Sequence, residues 1–197
     1  ALKPQMEERS EVMHQYEKIN GLYQLLSGNR KNSRMDIETY VQRHYLEQIL
    51  EAANQRFQDM SAGQFELRMC DIDKAGTGKN RGLDLMVYSA VTGKVREVRT
   101  LSGGESFMAA LSLALGMADQ IQESSAAINL DMMFIDEGFG SLDEHSRDQA
   151  VKVLQNMAEG EKLIGIISHV TELKQEIEDQ LIVTKDDQGS HTRWQIS

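Results

Sequence analysis

Cysteine is all but missing from this chain: Cys70 is the only one. No disulfide can form within it, and a reducing, cytoplasmic setting is the expectation. Proline occurs once, at Pro4, so long helices can run without interruption. No apolar run approaches the ~20 residues of a membrane-spanning helix, which excludes an integral helical membrane protein. Ala1–Arg9 is charged and has no apolar centre, so no secretory signal is read there. Positive charge is also in short supply. The 21 Lys and Arg against 31 Asp and Glu leave a net charge of −10. A broad nucleic-acid-binding surface built by this chain alone is therefore not expected.

What is present is an ordinary globular composition, with 40% hydrophobic and 26% charged residues in 197. That length suits one domain with a short extension. Met6, Val12, Met13, Tyr16, Ile19, Tyr23 and Leu26 recur at helical spacing amid charge. Their thin stripe is closer to a coiled-coil seam than to a core helix. Gly28–Asn32 breaks the pattern, and Ser33-x-x-Asp36 reads as the cap of a second helix. Its apolar face runs from Ile37 to Met60. A coil segment (1–32) handing over to a domain (33–197) is the preferred organisation; two helices of one bundle is the alternative. Phe65–Met69, Leu83–Ser89 and Val95–Thr100 read as strands of a small antiparallel sheet, with a hairpin turn at Val91–Lys94. After Thr100, helices alternate with compact apolar strands: helices at Ser102–Ile121, Glu144–Ala158 and Thr171–Glu178, strands at Met132–Ile135, Leu163–Ile167 and Leu181–Thr184. Such alternation predicts an α/β fold with a mainly parallel sheet covered by helices. His191–Ile196 is expected as an edge strand.

Four places carry chemistry. Leu101-Ser102-Gly103-Gly104-Glu105 opens the most apolar helix. Ser102 and Glu105 suffice for a capping box, but the box does not explain two glycines in the first turn. Glycines there bare the N–H donors of a helix tip, whose partial positive charge suits a phosphate. Met132–Ile135 ends in Asp136-Glu137. Adjacent residues of a strand face opposite ways, so the two acids can hold different jobs. One can support Mg²⁺ through its water shell, and the other can orient and deprotonate a water. A merely solvated acid pair is the plain alternative. Ser141, or Asp143 itself, can cap the following helix, and Ser168-His169 ends the next apolar strand on the same expected edge. A neutral imidazole there could meet a terminal phosphate or a water.

In this order Leu101–Glu105 resembles the signature motif of ABC-type ATPases, Met132–Glu137 their Walker B strand, Ser141–Asp143 their D-loop and His169 their switch histidine. Glutamate at 105, the block Asp136–Asp143 and the ending Ile167-Ser-His-Val170 resemble the SbcC family of bacterial DNA-repair ATPases, related to SMC proteins. The resemblance implies the carboxyl-terminal lobe of an ABC-type ATPase head, with ATP and Mg²⁺ as cofactors. It implies Glu137 and His169 as catalytic residues and Asp136 as a water-mediated Mg²⁺ support. Ser102, Gly103, Gly104 and Glu105 would contact ATP held by a second head, and Ser141 and Asp143 would couple the two sites. The implied partners are an amino-terminal lobe, a second copy of the ATPase, an SbcD-type nuclease subunit and DNA; no membrane is implied, and the setting is cytoplasmic, nucleoid-associated when acting. The phosphate-cradling Gly-x-x-x-x-Gly-Lys-Ser/Thr loop is not found. Around Gly78-Lys79, Asp73 stands five residues before Gly78 and Asn80 takes the hydroxyl position, so this stretch reads as a hairpin loop. In that family the loop lies beyond a long coiled coil, so half of an ATP site is expected here. An SMC-type chromosome-organising head and, more remotely, a transporter nucleotide-binding domain are the alternatives. The excess of basic residues over 71–99 is either a DNA contact or a solvated face.

Overall fold

The computed structural model describes residues 2–27, 35–71, 82–124, 130–158 and 162–196. The expected boundary at 32/33, the Ser33 cap and the whole of the Asp73–Asn80 loop lie outside them. Helix α1 (Leu2–Leu26) leaves Val12, Met13, Tyr16, Ile19, Leu22, Tyr23 and Leu26 exposed. Among the described residues its apolar stripe therefore lies open. Helix α2 (Ile37–Met60) starts at Asp36, whose Oδ1 accepts the Thr39 N–H at 2.7 Å. The cap therefore sits on Asp36 itself. Apart from Thr39 in its first turn, the buried residues of α2 are Leu50, Ala53, Phe57 and Met60, all in its second half.

Strands β1 (Phe65–Met69), β2 (Leu85–Ser89) and β3 (Lys94–Glu97) form the expected antiparallel sheet, with Leu67 opposite Val87 and Val87 opposite Arg96. The outer edge of β1 is closed by Asn54 of α2, whose amide oxygen accepts from Leu67 N at 2.7 Å and whose Nδ2 donates to Leu67 O at 2.8 Å. A buried strand edge left without such partners would be costly. Phe57 of α2 stacks on Phe65 of β1 at 6.0 Å between ring centres. Strand β3 stops earlier than expected, and Val98–Thr100 winds into one 3₁₀ turn that aims the chain at the next helix.

Helix α3 (Gly103–Ser124) is the central apolar element and packs along α2. The two backbones approach so closely at Gly116 that a Cβ there would stand 2.6 Å from the Ile49 carbonyl oxygen. Beside this contact Arg56 pairs with Asp119 at 2.6 Å. Strands β4 (Met132–Asp136) and β5 (Leu163–Ile167) are parallel and in register, with helix α4 (Glu144–Ala158) between them in the chain. The short helix α5 (Leu173–Glu176) leads to β6 (Gln180–Asp186) and β7 (Gly189–Gln195). These two pair antiparallel with each other, not with β5. Among the described residues the parallel part of the sheet is thus one pair of strands, narrower than helix–strand alternation predicts.

The core is continuous across α2, β1, β2, α3, β4 and α4, with Phe57, Met60, Leu67, Val87, Leu115 and Phe139 fully enclosed. One face of the parallel pair is bare, however. Met132, Phe134, Leu163 and Ile167 are all more than half exposed, and the Phe134 ring lies over the backbone of Gly165. The sequence reads both strands as buried on two sides; in this chain they are covered on one. No described helix is long and apolar enough to cross a membrane.

Candidate functional site

In-register pairing of β4 and β5 sets Asp136 beside Ile167, so both strands end on one edge. The Glu137 N–H donates to the Ile167 carbonyl at 2.9 Å and extends the pairing one step past the strand. Glu137 then turns with φ +57°, a left-handed conformation that costs a non-glycine residue roughly 1–2 kcal/mol. Gly138 continues the turn at φ +96°, and a Cβ there would run into the Phe107 ring. Glycine is required at 138 on both counts. The strain at Glu137 is local and accompanies a specific contact: His169 Nδ1 lies 2.9 Å from Glu137 Oε2. Both side chains are open to solvent, 81% exposed for His169 and 51% for Glu137. The acid and the imidazole expected to work together are therefore adjacent.

Asp136 belongs to the other side. Strand alternation puts it with Met132 and Phe134 on the bare face, and it is exposed. A lone carboxylate there fits a hard cation held mostly by water and by groups from elsewhere. Among the described residues no cluster of three or more metal-ligating side chains exists. A Mg²⁺ ion would need further donors that those residues do not provide.

At the start of α3 the capping box is closed. Glu105 Oε2 accepts from Ser102 N at 2.7 Å, and Ser102 Oγ accepts from Glu105 N at 3.3 Å. In that box the Ser102 hydroxyl oxygen is an acceptor, which leaves its proton able to donate to another group, and the first-turn amides have no intrahelical acceptor. The two glycines differ. A Cβ on Gly104 would press against the Ser141 carbonyl oxygen at 2.8 Å, whereas one on Gly103 would meet only the Ser141 Cβ at an ordinary 3.7 Å. Gly104 thus serves packing within the chain; Gly103 has no such need, and it is exposed.

The Phe139–Ser141 turn joins these parts. Phe107 of α3 meets Phe139 edge-on at 5.0 Å, and Ser141 Oγ donates to Gly138 O at 2.7 Å. The helix cap expected at Ser141 or Asp143 is Asp143: its Oδ1 accepts from Ser146 N at 2.8 Å. That backbone hydrogen bond holds the Asp143 carboxyl below its ordinary pKa. The structure brings Glu137 and His169 together, and Gly103 and Gly104 against Ser141. The α3 tip and the acid pair are linked only through the intervening turn.

Three contributors escape the sequence. Phe107 fixes the Gly138 turn, and only the tertiary fold reveals it. Arg43 of α2 donates to the carbonyls of Cys70 and Gly82, tying together the two ends of the stretch between them. Arg96 of β3 lies 3.5 Å from Glu105 Oε2. Its only sequence signal is a basic residue inside a strand, which the 71–99 excess of charge obscured.

A glycine-fronted helix tip packed on the turn behind an acid-ended parallel strand, in this fold, marks a lobe of an ABC-type ATPase head. Solved structures agree on the fold. The chain superposes with a TM-score of 0.63 and 19% identity on the Smc head domain with a coiled coil and joint from Pyrococcus yayanosii, covering 95% of this chain and 33% of that one. A structure from work on ATP-driven dimerization of SMC ATPases gives 0.61 and 15%, covering 79% and 88%. Residues 83–156 match the family described as SbcC/RAD50-like, Walker B motif. The SbcC component of the nuclease SbcCD from Treponema pallidum (strain Nichols) is 43% identical over 96% of this chain, and that from Vibrio cholerae 44% over 91%. The chain belongs to the SbcC family. It spans 17% and 18% of the length of these two relatives.

Proposed function

We propose that this chain is the carboxyl-terminal lobe of an SbcC-type ATPase head, which closes over ATP together with an amino-terminal lobe and with a second head. The observation that carries the reading is the contact of Glu137 with His169 at the end of a parallel strand whose other face, bearing Asp136, is bare and apolar. A half-covered strand pair needs a partner, and the phosphate-cradling loop that ATP requires has to come with it.

In the assembled site Asp136 would support Mg²⁺ through water, and the ion would supply charge neutralisation at the phosphates. Glu137 accepts a proton from the water that attacks the γ-phosphorus, as the bond to the β-bridging oxygen breaks to give ADP and phosphate. His169 orients the Glu137 carboxylate in the resting lobe and meets the γ-phosphate once ATP is held. Ser102 and the Gly103 amide of the opposite head donate to that phosphate, and its charge binds the two heads together. Cleavage divides the charge that both anion sites shared, and the heads part. Asp143 and Ser141 face the interface and couple the two pockets. Through the coil attached at α1, engagement regulates an SbcD-type nuclease subunit acting on DNA ends.

The test is to mix this chain with the amino-terminal lobe of the same ATPase. Each alone should hydrolyse no ATP, and together they should. Turnover by this chain alone would overturn the half-site reading. The SMC-head likeness of the fold supports a second reading, a chromosome-organising head; ATP-dependent stimulation of an SbcD-type nuclease separates the two.

A further inference from the structure

Arg96 stands on β3, six positions before the signature serine, and its guanidinium is spread over three neighbours. Nη1 donates to the Thr100 carbonyl at 2.9 Å, Nη2 reaches Glu105 Oε2 at 3.5 Å, and the group leans over the buried Phe65 ring at 5.6 Å. The oxygen it reaches on Glu105 is the one that accepts the Ser102 N–H. One carboxylate oxygen therefore joins a strand residue to the backbone of Ser102, while the Thr100 contact holds the turn between them. The Arg96 and Glu105 side chains are 36% and 26% exposed, so the pair is partly shielded from water.

We infer that Arg96 is a positioning residue for the signature tip: it holds Glu105 in its capping role, and so fixes where Ser102 presents its hydroxyl to the phosphate of an opposing head. The inference rests on the reading of Ser102 as a contact to ATP held by another head. A capping glutamate without a third partner has several rotamers open to it, and each one that leaves Ser102 N lets the tip fray. A planar fork anchored at Thr100 and Phe65 removes that freedom. Glutamate at 105 then has a physical reason: the charge that Arg96 holds is absent from a glutamine.

The test uses the full-length ATPase carrying this lobe, with Glu137→Gln to stop turnover, and reads ATP-dependent head pairing by fluorescence transfer between labelled heads. Arg96→Ala should raise the ATP concentration for half-maximal pairing by about fivefold, the scale of one partly shielded charge-assisted contact. ATP binding to the amino-terminal lobe and the melting temperature should stay near those of the parent. In a Glu105→Gln background the same Arg96→Ala change should cost less than about twofold, because a residue acting through a removed charge has nothing left to act on. Arg96→Lys should recover part of the loss, keeping the charge but not the fork. An equal loss in both backgrounds, or none in either, overturns the inference. If Arg96→Ala lowers the melting temperature, the Lys variant in the two backgrounds decides by the same comparison. Ser102→Arg is the control: if it leaves pairing intact, the underlying reading of the site fails, whereas a harmless Arg96→Ala beside a blocking Ser102→Arg removes Arg96 alone.

Discussion

Glu137 shows at the scale of one residue how backbone strain and a specific polar contact coincide. A glutamate at φ +57° persists because its N–H is tied to Ile167, its carboxylate meets His169 and the following glycine is pinned under Phe107. Strand alternation sets Asp136 on the bare face, and the left-handed turn at Glu137 begins one residue later. Replacing Glu137 by Gln in the assembled ATPase should leave ATP binding intact and lower turnover about 10²–10⁴-fold, the range for a lost general base. Unchanged steady-state turnover would remove Glu137 from that role. Asp143 gives a pH prediction of known sign. Its carboxyl is depressed in the folded chain by the Ser146 N–H, so its stabilising share is full above the unfolded pKa and fades as pH falls through the folded one. Asp143→Asn keeps an oxygen for the cap and should flatten the acid limb of stability as pH falls through and below the ordinary carboxylate range, measured by denaturant unfolding at each pH.

At the scale of elements, α3 is both the floor of the core and the carrier of the candidate phosphate tip. Its seat is set by Gly116 against α2 and by Gly104 against the Ser141 turn, two contacts that leave no room for a methyl group. Such packing moves as a unit, because interiors of this density do not deform continuously. The glycines of the tip should therefore behave oppositely. Gly104→Ala has to push the Ser141 carbonyl aside and should destabilise the lobe by about 1–3 kcal/mol, as overpacking does. Gly103→Ala should leave the melting temperature within a few degrees and yet weaken ATP-dependent head pairing. Equal effects of the two on stability would mean that Gly103 is there for the fold alone. Most elements were legible beforehand: β1, α4 and β5 stand at their expected bounds, since period and turn chemistry are local. The 3₁₀ turn after β3 and the pairing of β6 with β7 were not, because strand partners are chosen by neighbours distant in sequence.

For the whole molecule the decisive feature is the uncovered face of β4 and β5. Met132, Phe134, Leu163 and Ile167 present apolar surface of the kind that monomers rarely leave in one patch. Phe134 is 63% exposed here, so Phe134→Ser should change the stability of this chain little. If another lobe covers that face, the same change should weaken lobe assembly at least tenfold, since burying a phenylalanine contributes about 1.5–3 kcal/mol. Titration of one lobe with the other checks this; an unaffected affinity would place the partner elsewhere.

The sequence by itself determined which residues are candidates for the chemistry and in what order they come, because the capping box, the acid-ended strand and the glycine-rich turn are local patterns written in consecutive residues. It also shows that these 197 residues hold no Gly-x-x-x-x-Gly-Lys-Ser/Thr loop. Only the tertiary structure decided that Glu137 and His169 touch, that Gly104 serves packing while Gly103 does not, and that Arg96 reaches the signature glutamate. Those facts depend on register between strands and on the approach of one backbone to another, and no run of neighbouring residues encodes such distances.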